Sequence, residues 1–221
     1  SSTVSWARRC VKRQSQSRVA VLTLTRFKLR FSMTSGVMED AMRNKFRRLY
    51  MHSNAIPSQP KTVQDCQPQF DELCQHFDIP EDLTGAEKLE KLRAISAPDL
   101  CDAIMKLKHH TFRPVTDGVF IQPGVFDYYR NGSFAAEFKK RGLRLFIGEV
   151  RDENTLYAVT NGPEANVESM KLQVSNYYSP ATTDRLLRHY ALPDSTDKQE
   201  WQSVFGQIIA DGQVRAPYRF L

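Results

Sequence analysis

Beyond residue 38, apolar positions recur mostly at helical spacing. Over residues 62–77, Cys66, Phe70, Leu73, Cys74 and Phe77 fall on one face, and Thr62 followed by Asp65 predicts a capped start. Pro68 is expected to kink the beginning of that helix. Leu89 and Leu92 mark one face of a second helix over 85–94, and Ser96 caps a third with the stripe Leu100, Ile104 and Leu107. Two more are predicted, over 182–190 with Leu186 and Leu187, and over 197–210 with Trp201, Val204, Phe205, Ile208 and Ile209. The last should end near Asp211-Gly212. One segment breaks the helical period. Leu143–Val150 is a mainly apolar run that suits a strand buried on both faces of a parallel sheet. Residues 111–121 read as short extended pieces around a tight Asp117-Gly118 turn. The fold class is α/β, mostly helical with a few strands of a mixed, largely parallel sheet.

The strand at 143–150 runs into Arg151-Asp152-Glu153, and loops at the carboxyl ends of parallel strands are where α/β folds place working groups. Glu153 is therefore the first candidate for chemistry. The competing reading is a solvated charged turn. His109 and His110 are expected at a helix end, interacting with terminal carbonyls, and His52 and His189 stand isolated. Phe70, Phe77, Trp201 and Phe205 occupy core positions rather than a stacking platform.

Charge changes the picture at one end. The 221 residues carry a formal +6, but residues 1–38 hold eight Lys and Arg and no acid, so that segment is +8 and the remainder −2. A mildly acidic globular part argues against a nucleic-acid partner, and no apolar run is long enough to span a membrane. Residues 1–38 read as a targeting arm, a basic tail, or sequence foreign to the domain that occupies 39–221. A start at Ser1 rather than Met weakens the targeting reading, and the third is favoured.

Cys10, Cys66, Cys74 and Cys101 form no C-x-x-C pair and no metal-ligand spacing, and Cys66 and Cys74 are eight apart on a helix, about 12 Å and beyond disulfide reach. Buried reduced thiols are expected, which fits a reducing compartment such as the cytoplasm. No metal or organic cofactor is implied. No G-x-S-x-G, G-x-x-x-x-G-K-[ST] or G-x-G-x-x-G is present, so kinase, nucleotidase and dinucleotide chemistry lose support.

Four separated motifs, Phe46-Arg47-Arg48-Leu49-Tyr50-Met51-His52-Ser53-Asn54-Ala55, Thr111-Phe112-Arg113-Pro114-Val115-Thr116-Asp117-Gly118, Ile147-Gly148-Glu149-Val150-Arg151-Asp152-Glu153 and Asp211-Gly212-Gln213-Val214-Arg215-Ala216-Pro217, recur in order over about residues 40–221. Together they resemble the type B carboxylesterase family, the α/β-hydrolase branch that also holds the cholinesterases. The resemblance implies the carboxyl-side portion of an α/β-hydrolase fold and a small-molecule carboxylic ester as substrate. It puts the acid of a serine-histidine-glutamate triad at Glu153, supporting groups at Ser53 and Asp211, and part of an acyl pocket near His110 and Phe112. Such an acid fixes the imidazole tautomer and stabilises the imidazolium formed during acyl transfer. It sets no oligomeric state.

Departures from the family pattern limit the activity to be expected. Asn154 stands where a Gly follows the Asp-Glu pair, and Lys91 stands near the second cysteine of a cholinesterase disulfide. The nucleophile should fall around Val21–Arg30, which contains no serine, and the catalytic histidine would lie beyond Leu221. The expectation is an incomplete, marginally stable and inactive portion of an esterase. The alternative is a non-catalytic α/β-hydrolase-like interaction protein.

Overall fold

The computed structural model describes residues 48–53 and 60–220, apart from 114, 119, 120, 122 and 161. The segment 1–38, the expected nucleophile position at 21–30, Cys10, and the flanks Phe46-Arg47 and Asn54-Ala55 of the first motif lie outside the described residues.

Strand β1, Arg48–His52, pairs in parallel with β2, Arg144–Gly148, in the register Arg48 to Arg144, Tyr50 to Phe146 and His52 to Gly148. Between them come α1 (Val63–His76), α2 (Gly85–Ala94), α3 (Ala97–Ile104), α4 (Val125–Arg130) and α5 (Ser133–Lys140). After β2 come α6 (Glu153–Val159), α7 (Val167–Ser175), α8 (Pro180–Leu187) and α9 (Lys198–Ala210), which runs on through a π-helical turn, Asp211–Arg215, into α10 (Ala216–Phe220). The result is mostly helical with a small parallel sheet, compatible with part of an α/β fold.

Local chemistry accounts for most helix starts. Thr62 and Asp65 form a reciprocal capping box on α1, Thr84 and Glu87 form one on α2, and Ser96, Asn166, Ser179 and Asp197 cap α3, α7, α8 and α9 through side-chain oxygens. Helix α1 passes through Pro68, which forgoes the backbone bond to the turn before it. Three apolar clusters result. Leu73, Cys74, Ile79, Leu92, Ala103 and Leu107 join α1 to α3. Met51 and Phe134 join the sheet to α5, and Met170, Val174, Trp201, Phe205, Ile208 and Ile209 join α7 to α9.

Several expectations are corrected. The strand is not buried on both faces: Leu145 and Ile147 pack against the Met51–Phe134 cluster, whereas Phe146 is 64% exposed, because the described residues cover one face of the two-stranded sheet. The helix begun at Ser96 ends at Ile104, so Leu107 packs into the core from a connector and His109 and His110 are not at a helix end. Leu89 is exposed beside buried Leu92. Of the described thiols, burial holds for Cys74, while Cys66 is half-buried and Cys101 exposed. The chain does not stop at Asp211-Gly212 either. A Cβ on Gly212 would sit 2.1 Å from Tyr178 Oη, so this glycine serves close approach to a neighbour rather than a left-handed helix end.

Candidate functional site

Parallel pairing brings the carboxyl ends of β1 and β2 to one edge, and the residues that leave those ends form the candidate site. From β1 the chain exits through Ser53, a non-glycine residue at φ 49° whose N–H donates to the Gly148 carbonyl of β2 at 2.8 Å. A left-handed serine costs of order 1 kcal/mol, and here the interstrand bond holds it. From β2 the chain turns through Glu149–Asp152 and enters α6 at Glu153. Arg151 and Asp152 pair at 3.1 Å with side chains 92% and 63% exposed, so these two are a solvated turn.

Glu153 is different. It is 3% exposed, and its Oε1 accepts from the Val150 N–H at 2.9 Å, closing the turn over the helix start. Among the described residues nothing donates to Oε2. A buried carboxyl group with one oxygen satisfied has the second left to accept from another donor.

Helix α6 is seated by α9. A Cβ on Gly206 would lie 2.4 Å from the Asn154 carbonyl oxygen and 3.0 Å from Ala158 Cβ, so the backbones approach as closely as glycine permits. Behind α6 stands a tyrosine cluster. Tyr157 meets the Tyr177 ring edge-on at 6.3 Å, and burial first, then the Tyr177 and Glu153 charges, pushes its phenol up. Arg113 lies over the Tyr177 ring at 4.6 Å and donates to Gln213 Oε1 at 3.0 Å, and Gln213 Nε2 donates to the Tyr178 hydroxyl at 2.9 Å. Burial drives the Tyr178 phenol far above its usual range. Sequence reasoning missed Arg113, Tyr157, Tyr177, Tyr178 and Gln213, although Arg113 and Gln213 stand within two of the four motifs. An arginine among apolar motif residues was the available signal.

His110 bonds Gln173 Oε1 through Nε2 and Thr111 Oγ1 through Nδ1, both at 3.1 Å. Its neighbour Thr111 donates its N–H to Asn176 Oδ1 at 3.1 Å, and Phe112 is 46% exposed. His109 pairs with Glu72 at 3.5 Å. No hydrogen bond, ion pair or ring contact among the described residues joins His110 or Phe112 to Glu153. Next in the chain after Phe112, Arg113 reaches Tyr177, which meets Tyr157 on the helix that Glu153 begins. Asp211 accepts from Tyr190 Oη at 3.0 Å, Gln207 Nε2 at 2.8 Å and Arg215 Nη1 at 3.1 Å, so it braces the π turn and does not touch Glu153 among the described residues. A cleft of about 250 Å³ lies elsewhere, lined by Asp71, Cys74, Gln75, Ile79, Glu81 and Lys88. No group of three or more metal-ligating side chains is present among the described residues.

Two curated relatives bear on the chemistry that a buried carboxylate at a parallel strand end would serve. Over 180 residues the chain is 44% identical to an uncharacterised esterase/lipase of Schizosaccharomyces pombe, covering 79% of this chain and 33% of that protein. Over 173 residues it is 33% identical to a carboxylic ester hydrolase of Gibberella moniliformis, covering 76% and 31%. Both relatives bear ester-hydrolase names. The similarity supports an esterase family, and the chain spans about a third of the length of the curated relatives it matches. No family profile matches the chain.

Proposed function

We propose that this chain carries the acid of a serine-histidine-glutamate triad in a carboxylic-ester hydrolase of the type B, cholinesterase-like branch. The observation that carries the reading is Glu153: buried at the carboxyl end of a parallel strand, with Oε1 bonded to Val150 and Oε2 open to a donor. The names of the two relatives support the reaction class. Oε2 of Glu153 accepts the Nδ1–H of the catalytic imidazole, whose Nε2 removes the proton as the serine oxygen attacks the ester carbonyl. The alcohol leaves with that proton, and water then releases the carboxylic acid and returns a proton to the serine. Ser53 and Asp211 act at a distance: Ser53 ties β1 to the end of β2, and Asp211 holds the π turn whose Gln213 anchors Arg113.

Residues 21–30 contain no serine, so the polypeptide by itself is proposed not to turn over esters. Two assays test the reading. The isolated chain should show no hydrolysis of a short-chain aryl ester above background; turnover abolished by Glu153→Gln would overturn the inactivity. A chimaera in which residues 48–220 replace the matching region of the S. pombe relative should hydrolyse the same ester, and Glu153→Gln should lower kcat about 10⁴-fold. A folded chimaera with unchanged kcat after Glu153→Gln would remove Glu153 from the chemistry, and a folded chimaera that hydrolyses no ester would favour the non-catalytic interaction protein.

A further inference from the structure

Arg113 is half-buried, yet no carboxylate among the described residues pairs with it. Its guanidinium lies over the Tyr177 ring, 4.6 Å from the centroid, and Nη1 donates to Gln213 Oε1 at 3.0 Å. Nε is buried and finds no acceptor among the described residues. A buried donor left unmet and a cation without a counter-ion both work against folding, so an apolar side chain would serve packing better. What the guanidinium does touch leads to Glu153. Tyr177 meets Tyr157 edge-on at 6.3 Å. Tyr157 stands one helical turn after Glu153 on α6, and helical side chains lean toward the amino end, so its ring leans over the turn that carries the acid. Burial, then the Tyr177 and Glu153 charges, push the Tyr157 phenol up, and the Arg113 charge pulls it down. Tyr157 therefore lies in the fields of both the acid and the cation. On its other side Arg113 is clamped by the π turn, where Gln213 Nε2 also donates to the Tyr178 hydroxyl at 2.9 Å.

We infer that Arg113 is a positioning residue for Glu153: its cation, clamped by Gln213, fixes the Tyr177 ring, which fixes Tyr157 and with it the aim of the carboxyl group one turn earlier. Arg113 itself touches no reacting atom. Its effect on rate rests on the proposed triad, whereas its effect on the Glu153 carboxyl group does not.

Two measurements test this. In the full chain 1–221, isotope-labelled at the glutamate carboxyl carbons, the Glu153 magnetic-resonance signal is identified by its loss in Glu153→Gln. That signal should move on Arg113→Met and also on Tyr177→Leu, which removes no charge, while Arg185→Met on exposed α8 moves it on neither count. In the chimaera with the S. pombe relative, Arg113→Met should lower kcat about ten- to a hundredfold with KM within about twofold. Arg113→Lys, which keeps a cation for the ring, should lose less. On the Glu153→Gln background Arg113→Met should add nothing, because it acts through that residue. Should Arg113→Met unfold the protein, Arg113→Lys and Tyr177→Leu carry the same comparisons. A Glu153 signal that stays in place in the folded variants, or a further loss of kcat on the Glu153→Gln background equal to that on the wild type, would overturn the role. A signal that moves, in a chimaera whose kcat ignores Glu153→Gln, leaves the positioning standing and refutes the triad. A chimaera that loses kcat on Glu153→Gln but keeps it on Arg113→Met does the reverse.

Discussion

Gly206→Ala isolates the contact that seats Glu153. Helix propensity alone says the variant should be more stable, because alanine is favoured over glycine in a helix interior by about 1 kcal/mol. Packing says the opposite. The added methyl would lie 2.4 Å from the Asn154 carbonyl oxygen and 3.0 Å from both Ala158 N and Ala158 Cβ. An ordinary carbon–oxygen contact needs about 3.3 Å, so α6 and α9 must part by nearly an ångström. The obstructing atoms are two backbone atoms and an alanine Cβ fixed to the backbone, and none of them can rotate away. Overpacking of this kind costs about 1–3 kcal/mol, and a backbone obstacle puts the cost at the upper end, for a net loss of about 2 kcal/mol after the propensity gain.

For a chain of this length that loss corresponds to a fall in Tm of about 4–8 °C, readable by near-ultraviolet circular dichroism or by fluorescence of Trp201, which is 4% exposed in the same helix. Gly85→Ala is the matched control. Nothing lies within 4 Å of its Cβ position at the start of α2, so it should stabilise by about 0.5–1 kcal/mol. A Gly206→Ala chain whose Tm rises alongside that of Gly85→Ala would refute the close α6–α9 crossing.

Two further outcomes are expected. Asn176, 1% exposed, accepts from Thr111 N–H and donates to the Lys108 and Leu172 carbonyls; Asn176→Ala should cost about 2–3 kcal/mol, seen as a lower urea midpoint with unchanged slope, and a loss under about 0.5 kcal/mol would mean those groups find other partners. Burial, then the Asp211 carboxylate, pushes the Tyr190 phenol up from 10.0 to about 12. A raised value means the fold favours the neutral phenol, so its contribution is complete below pH 10 and is lost as pH rises through about 12. Asp211→Asn should lower the Tyr190 midpoint in a phenolate absorbance titration differenced against Tyr190→Phe; an unmoved midpoint would exclude the carboxylate as a cause.

Features legible in the sequence are those decided within four residues. Thr62 with Asp65, and Ser96 ahead of Asp99, announce helix starts because the cap bonds form between near neighbours. The expectations that failed were decided at long range. Asp211-Gly212 carries the local chemistry of a helix stop, but Tyr178 packs where a Cβ on residue 212 would stand, and the chain winds on as a π turn. The stripe ending at Leu107 predicts a longer helix than Ala97–Ile104, because Leu107 reaches the same core from a connector whose Lys108 and His109 N–H groups are taken by Glu72 on α1. The candidate site was legible as a strand end with an acid. Its tyrosine and arginine surroundings were not, since Arg113, Tyr157, Tyr177 and Gln213 meet across a hundred residues.

Arg151, Asp152 and Glu153 show where that boundary falls inside three consecutive residues. All three are charged, and the first two are solvated as a turn should be. Their pair contributes little in water. Asp152 sits at the helix cap but makes no side-chain cap bond, and the Val150 N–H, two residues before the cap, is taken by Glu153. A first-turn side chain points back toward the helix start, which lets Glu153 reach that N–H. Gly206 draws α9 close against Asn154, the next residue of the same helix. The acid's seat thus depends partly on a glycine 53 positions away, beyond the reach of any local pattern. The same geometry separates its two oxygens by role. Oε1 holds the turn together, and Oε2 has no donor among the described residues, which leaves it for the proposed contact with an imidazole. Glu153→Gln retains an acceptor for Val150 and removes the charge, so a loss of the chimaera's activity with unchanged unfolding would belong to Oε2. Glu153→Asp shortens the reach by one methylene and should loosen the turn first. Equal effects of the two variants on stability would mean that Val150 does not hold the carboxyl group.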